Sequence, residues 1–394
     1  MNNFEMYNNE RYVFGKGAEL RAGEYVKKHG GTRVLIHYGG KSAERSGLLD
    51  RIKASLEREG LPYIAIGGVQ PNPKSGLIYS SIERSKAENV DFVLAVGGGS
   101  VIDSSKAIAV GSCYDGDFWD FYTGKSVEKA LPVGVVLTLA AAGSEGSNGS
   151  VVTHENGLLK RSCESELIRP RFAIMDPELL FTLPKYQIAC GGTDIMAHVF
   201  ERYFTNTKGV ELTDNLCEAV LMTVIEMLPR ALKDPTDYDA QANIMWAGTI
   251  AHNNFVGMDR EQDWGSHMME HELSGLYDVA HGAGLAVLFP AWMRYVYRHD
   301  TARFARLAAN VWKLGGYDSE EELALAGIDA TESFFRSLGM PTTFAEIGAR
   351  AEDIDLLTQK ALQGTNGTLG NFVKLGSSDI KAVFEIAAGL RKAV

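Results

Sequence analysis

The chain has 394 residues, 45% hydrophobic and 23% charged, which is enough for two cores and excludes long disordered tracts. Its formal net charge of −11 argues against nucleic acid and anionic membranes as partners and for small-molecule chemistry. The four cysteines, Cys113, Cys163, Cys190 and Cys217, form no C-x-x-C pair, and there is neither a secretion signal nor an apolar run of about 20 residues, so reduced thiols and a cytoplasmic location are expected.

From the N-terminus, short β-branched runs alternate with amphipathic stretches: RVLIHYGG, SGLLDRIKASLEREG, YIAIGGV, SSIERSKAENV and DFVLAVGGGS. That alternation is the pattern of parallel strands joined by crossover helices. VGVVLTL and RFAIMDP carry it to about residue 180. Beyond Pro184, the segments IMAHVFERYF, LCEAVLMTVIEMLPRAL and AQANIMWAGTIAHNNF repeat apolar residues at helical spacing. The expected fold is an α/β domain over 1–184 and a nearly all-helical domain over 185–394, closely packed with a ligand-holding cleft between them.

The α/β half offers three segments suited to a dinucleotide. In AVGGGSVIDSSK, Gly97, Gly98 and Gly99 follow an apolar run and precede a helix-forming one, so backbone N–H groups and a helix N-terminus can meet a diphosphate. This is not the G-x-G-x-x-G fingerprint, since Ile102 stands where the third glycine belongs, and a tight strand-to-helix turn is an equal reading. Asp103 suits an N-terminal cap more readily than contact with ribose or nicotinamide. The hydroxyl- and glycine-rich TLAAAGSEGSNGS, Thr138 to Ser150, suits either a nicotinamide wrap or a flexible turn.

In RVLIHYGGKSAERSG, the strand end where NAD-specific folds carry Asp or Glu is occupied by Gly39 and Gly40. Lys41 adds a positive charge and Ser42 a hydroxyl at the next helix start, so NADP(H) is expected in preference to NAD(H). The alternative is a plain glycine turn with Lys41 in solvent, serving both cofactors comparably.

In the helical half, Asp194 and His198 stand four apart and share a helix face, a spacing that can chelate one ion but more often makes a plain helix pair. Three of the nine histidines, His267, His271 and His281, fall within HMMEHELSGLYDVAHGAG among apolar neighbours. Together they form a nitrogen and oxygen set suited to Fe2+ or Zn2+. Spacing alone leaves open which imidazoles coordinate, and core histidines satisfied by backbone groups are the alternative.

With these residues assembled, the chain resembles the iron-containing (metal-dependent group III) alcohol dehydrogenase family, in its butanol dehydrogenase and NADPH-dependent aldehyde reductase branch. The likeness runs from RYVFGKGA through PNPK, AVGGGSVID, TLAAAGSE, GGTDIMAHVFE and HMMEHELSGLYDVAHGAG. It implies an α/β dinucleotide-binding domain and an all-α metal-binding domain of the dehydroquinate synthase-like type, with metal and nicotinamide facing each other across the cleft. It also implies Asp194, His198, His267 and His281 as metal ligands and His271 as a nearby non-ligand. Gly97, Gly98, Gly99, Ser100 and Asp103 match the phosphate and nicotinamide loop, and Asn72, Thr138 and Lys160 match further cofactor contacts. Two positions depart from the pattern: Ala142 stands where relatives carry Thr or another hydroxyl residue, so one cofactor hydrogen bond is either missing or replaced by a neighbour such as Ser144 or Ser147, and Gly146-Ser147-Asn148 differs locally.

The resemblance implies hydride transfer between aldehydes and primary alcohols, with His271 and Asp103 as catalytic candidates, a small aldehyde or alcohol as substrate, and a homodimer. A glycerol or other polyol dehydrogenase of the same superfamily is the rival enzyme. A non-catalytic nucleotide- or metal-sensing protein is the rival from another class.

Overall fold

The apolar runs of the first half form a six-stranded, all-parallel sheet in the computed structural model, which describes residues 1–392. In chain order the strands are β1 (Arg11–Phe14), β2 (Val34–Tyr38), β3 (Tyr63–Ile66), β4 (Phe92–Gly97), β5 (Val133–Leu137), the separate antiparallel hairpin β6 (Gly149–His154) and β7 (Leu159–Glu164), and β8 (Phe172–Met175). The sheet order is β1-β8-β5-β4-β2-β3. Every residue of β4, β5 and β8 is buried, as both faces of a parallel sheet must be, so these strands read as unbroken apolar runs. The crossover segments supply α1 (Ala22–Lys28), α2 (Ser42–Arg45), α3 (Leu48–Arg58), α4 (Ser75–Ala87) and α5 (Gly99–Gly111). Val26, Ile52 and Leu56 share one core with Ile36, Leu94 and Ile174.

The chain passes from β2 out to β3 and returns across β2 to β4, so its direction through the sheet reverses between β2 and β4. Parallel sheets bind ligands at the carboxyl ends of strands beside such a reversal. Tyr38 is level with Val96 across this pair, which makes the turns Gly39–Ser42 and Gly97–Ser100 neighbours.

By its contacts the chain forms two compact units. One comprises Tyr7–Leu183 with Pro235–Asn253; the other comprises Met1–Met6, Pro184–Asp234 and the chain from Asn254 on. The helical unit contains α6 (Lys185–Tyr203) and α7 (Glu211–Lys233), whereas α8 (Tyr238–His252) belongs to the α/β unit, unlike a single cut at 184/185. Thr249 of α8 donates to Glu145 at 2.6 Å, and Trp246 sets its ring edge-on to Tyr12 and Phe14. Helical periodicity marks α8 as a helix without saying which core receives it.

The helical unit continues with α9 (Gly265–Tyr277), α10 (His281–Val296), α11 (Thr301–Asn310), α12 (Glu320–Ser337), α13 (Ile354–Ala361) and α14 (Ser377–Ala387). Phe204 stacks on Phe304 with centroids 4.5 Å apart and meets Trp292 at 5.2 Å, and α10 is buried from Gly282 to Met293. A Cβ on Gly282 would overlap the Cys190 carbonyl, so α10 meets α6 there through a hydrogen alone. That close approach sets His281 beside Asp194, one turn further along α6. Among the described residues no helix is long and apolar enough to cross a membrane.

Candidate active site

Three helices of the helical unit converge on one point. Asp194 on α6, His267 on α9 and His281 at the start of α10 bring ligand atoms within 4.8 Å of one another. Asp194 Oδ1 lies 3.4 Å from His198 Nε2 and 3.8 Å from His281 Nε2. Ligands held at about 2.1 Å by a tetrahedral ion stand roughly 3.4 Å apart, so these separations are those of donors around one ion. The His198 and His267 rings are 4.6 Å apart, and those of His267 and His281 5.3 Å. Asp194, His198 and His267 are buried, and the donor set of one carboxylate and imidazoles suits Fe2+ or Zn2+.

Two carboxylates back this cluster. Glu201, on α6, accepts from His267 Nδ1 at 2.7 Å, from the His267 N–H at 3.0 Å and from the Trp264 N–H at 2.5 Å. Burial pushes its carboxyl up to about 8, and the two backbone donors pull the other way. Glu270, on α9, bonds His281 Nδ1 and accepts from the Ser274 hydroxyl at 2.5 Å. Sequence reasoning missed both, although a signal existed. Glu201 falls seven residues after Asp194 and three after His198, and Glu270 three after His267, all helical same-face spacings.

His271 is half-buried, its ring 5.8 Å from that of His281. It also belongs to a second close group with Glu270 and His281. Trp264 walls the cluster, its ring 5.7 Å from His198 and 5.1 Å from His267.

The expected cofactor residues all lie in the α/β unit. Gly97 ends β4 and Gly99 begins α5, with Ser100 in its first turn; a Cβ on Gly98 would press on Leu139 at 2.9 Å. Gly39 has 3.6 Å to Val101 from a notional Cβ and Gly40 has open space, while Lys41 is exposed and Ser42 opens α2. Thr138 donates its N–H to the Gly97 carbonyl at 3.1 Å, tying the hydroxyl loop to the glycine turn. Buried Asn72, at φ 51°, accepts from buried Lys160 Nζ at 3.1 Å.

Asp103 is committed within the protein. Its carboxylate accepts from the Ser144 hydroxyl at 2.6 Å and the Val151 N–H at 3.0 Å, and burial raises its pKa. It is thus a clip between α5 and β6 and not a helix cap. Beside it Lys106, unforeseen from sequence, is fully buried and donates toward the carbonyls of Ser144 (2.7 Å), Ser147 (2.9 Å) and Gly149 (2.7 Å) and the Ser144 hydroxyl (2.9 Å). Desolvation pulls its ammonium down to about 8. Ser147 is held in this cage. Ala142, where a hydroxyl was expected, offers its carbonyl to His252 Nδ1 of α8.

The chain belongs to the iron-containing alcohol dehydrogenase family: residues 9–177 match the family described as iron-containing alcohol dehydrogenase, and residues 188–388 the C-terminal part of the Fe-containing alcohol dehydrogenase family. It is an oxidoreductase that interconverts alcohols and aldehydes using NAD(P) and a divalent metal. It is 41% identical over 98% of its length to 99% of the probable NADH-dependent butanol dehydrogenase 1 of Bacillus subtilis (strain 168). Against the NADPH-dependent aldehyde reductase YqhD of Escherichia coli (strain K12), identity is 37% over 91% of this chain and 93% of that one. The crystal structure of NADH-dependent butanol dehydrogenase A from Thermotoga maritima superposes with a TM-score of 0.95 at 38% identity, covering 98% of this chain and 99% of that one.

Proposed function

We propose that the protein reduces short to medium aliphatic aldehydes to primary alcohols, preferring NADPH, with its divalent metal held by Asp194, His198, His267 and His281. The observation that carries this reading is the convergence of Asp194, His267 and His281 within 4.8 Å, with the Asp194 to His198 and Asp194 to His281 separations of ligands sharing one ion. Bound there, a divalent ion supplies Lewis acidity toward a substrate oxygen, and the dinucleotide supplies the hydride. His271, close by and outside the ligand set, moves the proton or orders the water that does. The glycine turn Gly97–Gly99 with Ser100 cradles the diphosphate, and Asn72, Thr138, Ser147 and Lys160 position the rest of the dinucleotide. Asp103 acts by holding the loop that carries Ser147.

The relatives' names favour a small alcohol or aldehyde and divide between NADH and NADPH, so the cofactor preference rests on this chain's own turn. Gly39 puts no carboxylate beside the 2′ position, and Lys41 adds a cation. Trp264, Met268 and Leu276 bring apolar surface to the motifs around the metal, which favours selection by size over polyol recognition. The test is a panel of aldehydes and alcohols run with both cofactors after reconstitution with Fe2+ or Zn2+. Glycerol outperforming butanol at equal concentration would assign the chain to the polyol dehydrogenases, and no turnover with any member would leave a sensing role.

A further inference from the structure

His267 on α9 and His281 on α10 each have Nδ1 engaged by a carboxylate from another helix. Glu201 on α6 engages His267 on α9, and Glu270 on α9 engages His281 on α10. We propose that Glu201 and Glu270 are positioning residues that hold His267 and His281 with Nε2 turned to the metal, and so set how tightly the ion is kept. The inference rests on the metal-site reading above.

Glu201 receives three N–H groups, two from the backbone at the start of α9 and one from the His267 ring, and it is 1% exposed. Trp264, which precedes α9, sits at φ 67°, a conformation a bulky residue adopts only when its surroundings hold it there. Glu201 supplies that hold through the Trp264 N–H, and the same carboxylate takes the ring proton of His267. One side chain therefore fixes both the end of the helix and the rotation of the imidazole it carries.

Glu270 repeats the device one helix on. It is fully buried; one oxygen accepts from Ser274 and the other bonds His281 Nδ1. Each of its oxygens holds one partner, and with His281 Nδ1 bonded to it Glu270 is assigned the part of a positioning group and not of a ligand. An imidazole whose Nδ1 proton is held by a carboxylate presents a lone pair at Nε2 and is a stronger donor, and loss of such a partner costs about 10–100-fold in metal affinity. Because Glu201 and Glu270 link α6 to α9 and α9 to α10, orientation set on α6 is handed through the three helices that meet at Asp194.

The test uses the full-length protein stripped of metal and reloaded with Zn2+ or Co2+, with Glu201→Gln, Glu270→Gln and, as control, His267→Ala. Glutamine keeps the size and one acceptor oxygen but turns the other oxygen into an N–H donor, so it cannot receive all the partners that the two oxygens of each glutamate now hold. We expect each glutamine variant to fold, to bind Zn2+ about 10–100-fold more weakly in chelator competition, and to shift the visible Co2+ absorption when saturated. A glutamate with a merely structural role would lower the melting temperature and leave the saturated Co2+ spectrum unchanged; that result overturns the proposal, as does Zn2+ affinity within about twofold of the unmodified protein for both variants. Loss of Co2+ binding altogether by folded Glu270→Gln would make Glu270 a ligand and likewise overturn it. If Glu201→Gln does not fold by circular dichroism, Glu270→Gln decides alone. The control separates the two readings: a His267→Ala protein that binds Zn2+ normally defeats the metal site itself, whereas one that loses Zn2+ while both glutamine variants keep it defeats only the role of the carboxylates.

Discussion

Replacing Gly143 by alanine should loosen the hydroxyl loop on which the dinucleotide reading depends. Gly143 sits at φ 69°, where a side chain costs about 1–2 kcal/mol. A Cβ there would lie 2.8 Å from His252 Cβ and nearer still to the Gly248 carbonyl. To restore ordinary contact with the Gly248 carbonyl, at 3.4 Å or more, α8 must retreat by about 1 Å. That retreat strains the bonds by which α8 grips the loop, His252 to the Ala142 carbonyl and Thr249 to Glu145. Overpacking of this kind adds about 1–3 kcal/mol, and the stiffer unfolded chain returns about 0.4–1 kcal/mol, leaving a net loss of about 2–4 kcal/mol. For a unit of this size, the melting temperature should fall by roughly 5–15 °C. Gly40→Ala is the matched control: it lies in the other cofactor turn, its φ is not left-handed, and its Cβ would meet nothing within 4 Å, so it should change stability by less than about 0.5 kcal/mol. Differential scanning calorimetry of the two variants, paired with NADPH titration by fluorescence, reads both effects. A Gly143→Ala protein melting within about 2 °C of the unmodified one would refute the reasoning.

Three further outcomes are expected. His267→Ala or His281→Ala should lose bound metal and turnover while NADPH affinity stays within about twofold, because ligands and glycine turns lie in different units; near-normal activity at limiting metal would reject the ligand set, and loss of metal from His271→Ala alone would show the wrong histidine had been chosen. Gly39→Asp should lower the NADPH to NADH ratio of kcat/KM by about tenfold or more, since a Cβ at Gly39 makes only ordinary contact and the carboxylate opposes a 2′-phosphate; an unaltered ratio removes this turn from the argument. Fully buried His37, bonded to the Ile66 carbonyl and the Ser104 hydroxyl, is pulled by desolvation from 6.5 down to about 4. Between those values the unfolded chain binds a proton that the folded one refuses, so this group contributes about 3 kcal/mol above pH 6.5 that is lost as pH falls toward 4. Melting temperature against pH should therefore be flatter over that window in His37→Gln, and parallel curves would contradict it.

Much of the fold was legible because parallel strands buried on both faces write themselves as apolar runs. The apolar parts of RVLIHYGG, DFVLAVGGGS and VGVVLTL form β2, β4 and β5. The hairpin β6–β7 was not, since its residues, as in LKRSCE, mix burial and exposure and follow a glycine-rich loop that reads as irregular. Nor was the membership of α8, because AQANIMWAGTIAH declares a helix and is silent about its neighbours. Thr249, which reaches Glu145 from α8, is an unremarkable residue until the two segments meet.

The site divides along the same line. Residues marked by type and spacing, the three glycines at the end of β4 and the Asp-x-x-x-His pair on α6, could be picked out from sequence as candidates, and their proposed roles came from the family resemblance. Residues that act by holding others could not. Lys106 looks like a solubilising lysine on α5, yet its neighbours Ala107, Ile108, Ala109 and Val110 are all buried, so a polar tip at that position has no route to water. It must find oxygen inside, and the carbonyls of Ser144, Ser147 and Gly149 are what it finds. Glu201 and Glu270 pose the same problem on α6 and α9: a carboxylate on a buried helix face needs donors, and among those each finds is an imidazole of another helix. A charged residue inside an apolar helical run is therefore the sequence mark of such a group. What the mark leaves unspecified is its partner, which depends on helix packing and not on spacing along the chain.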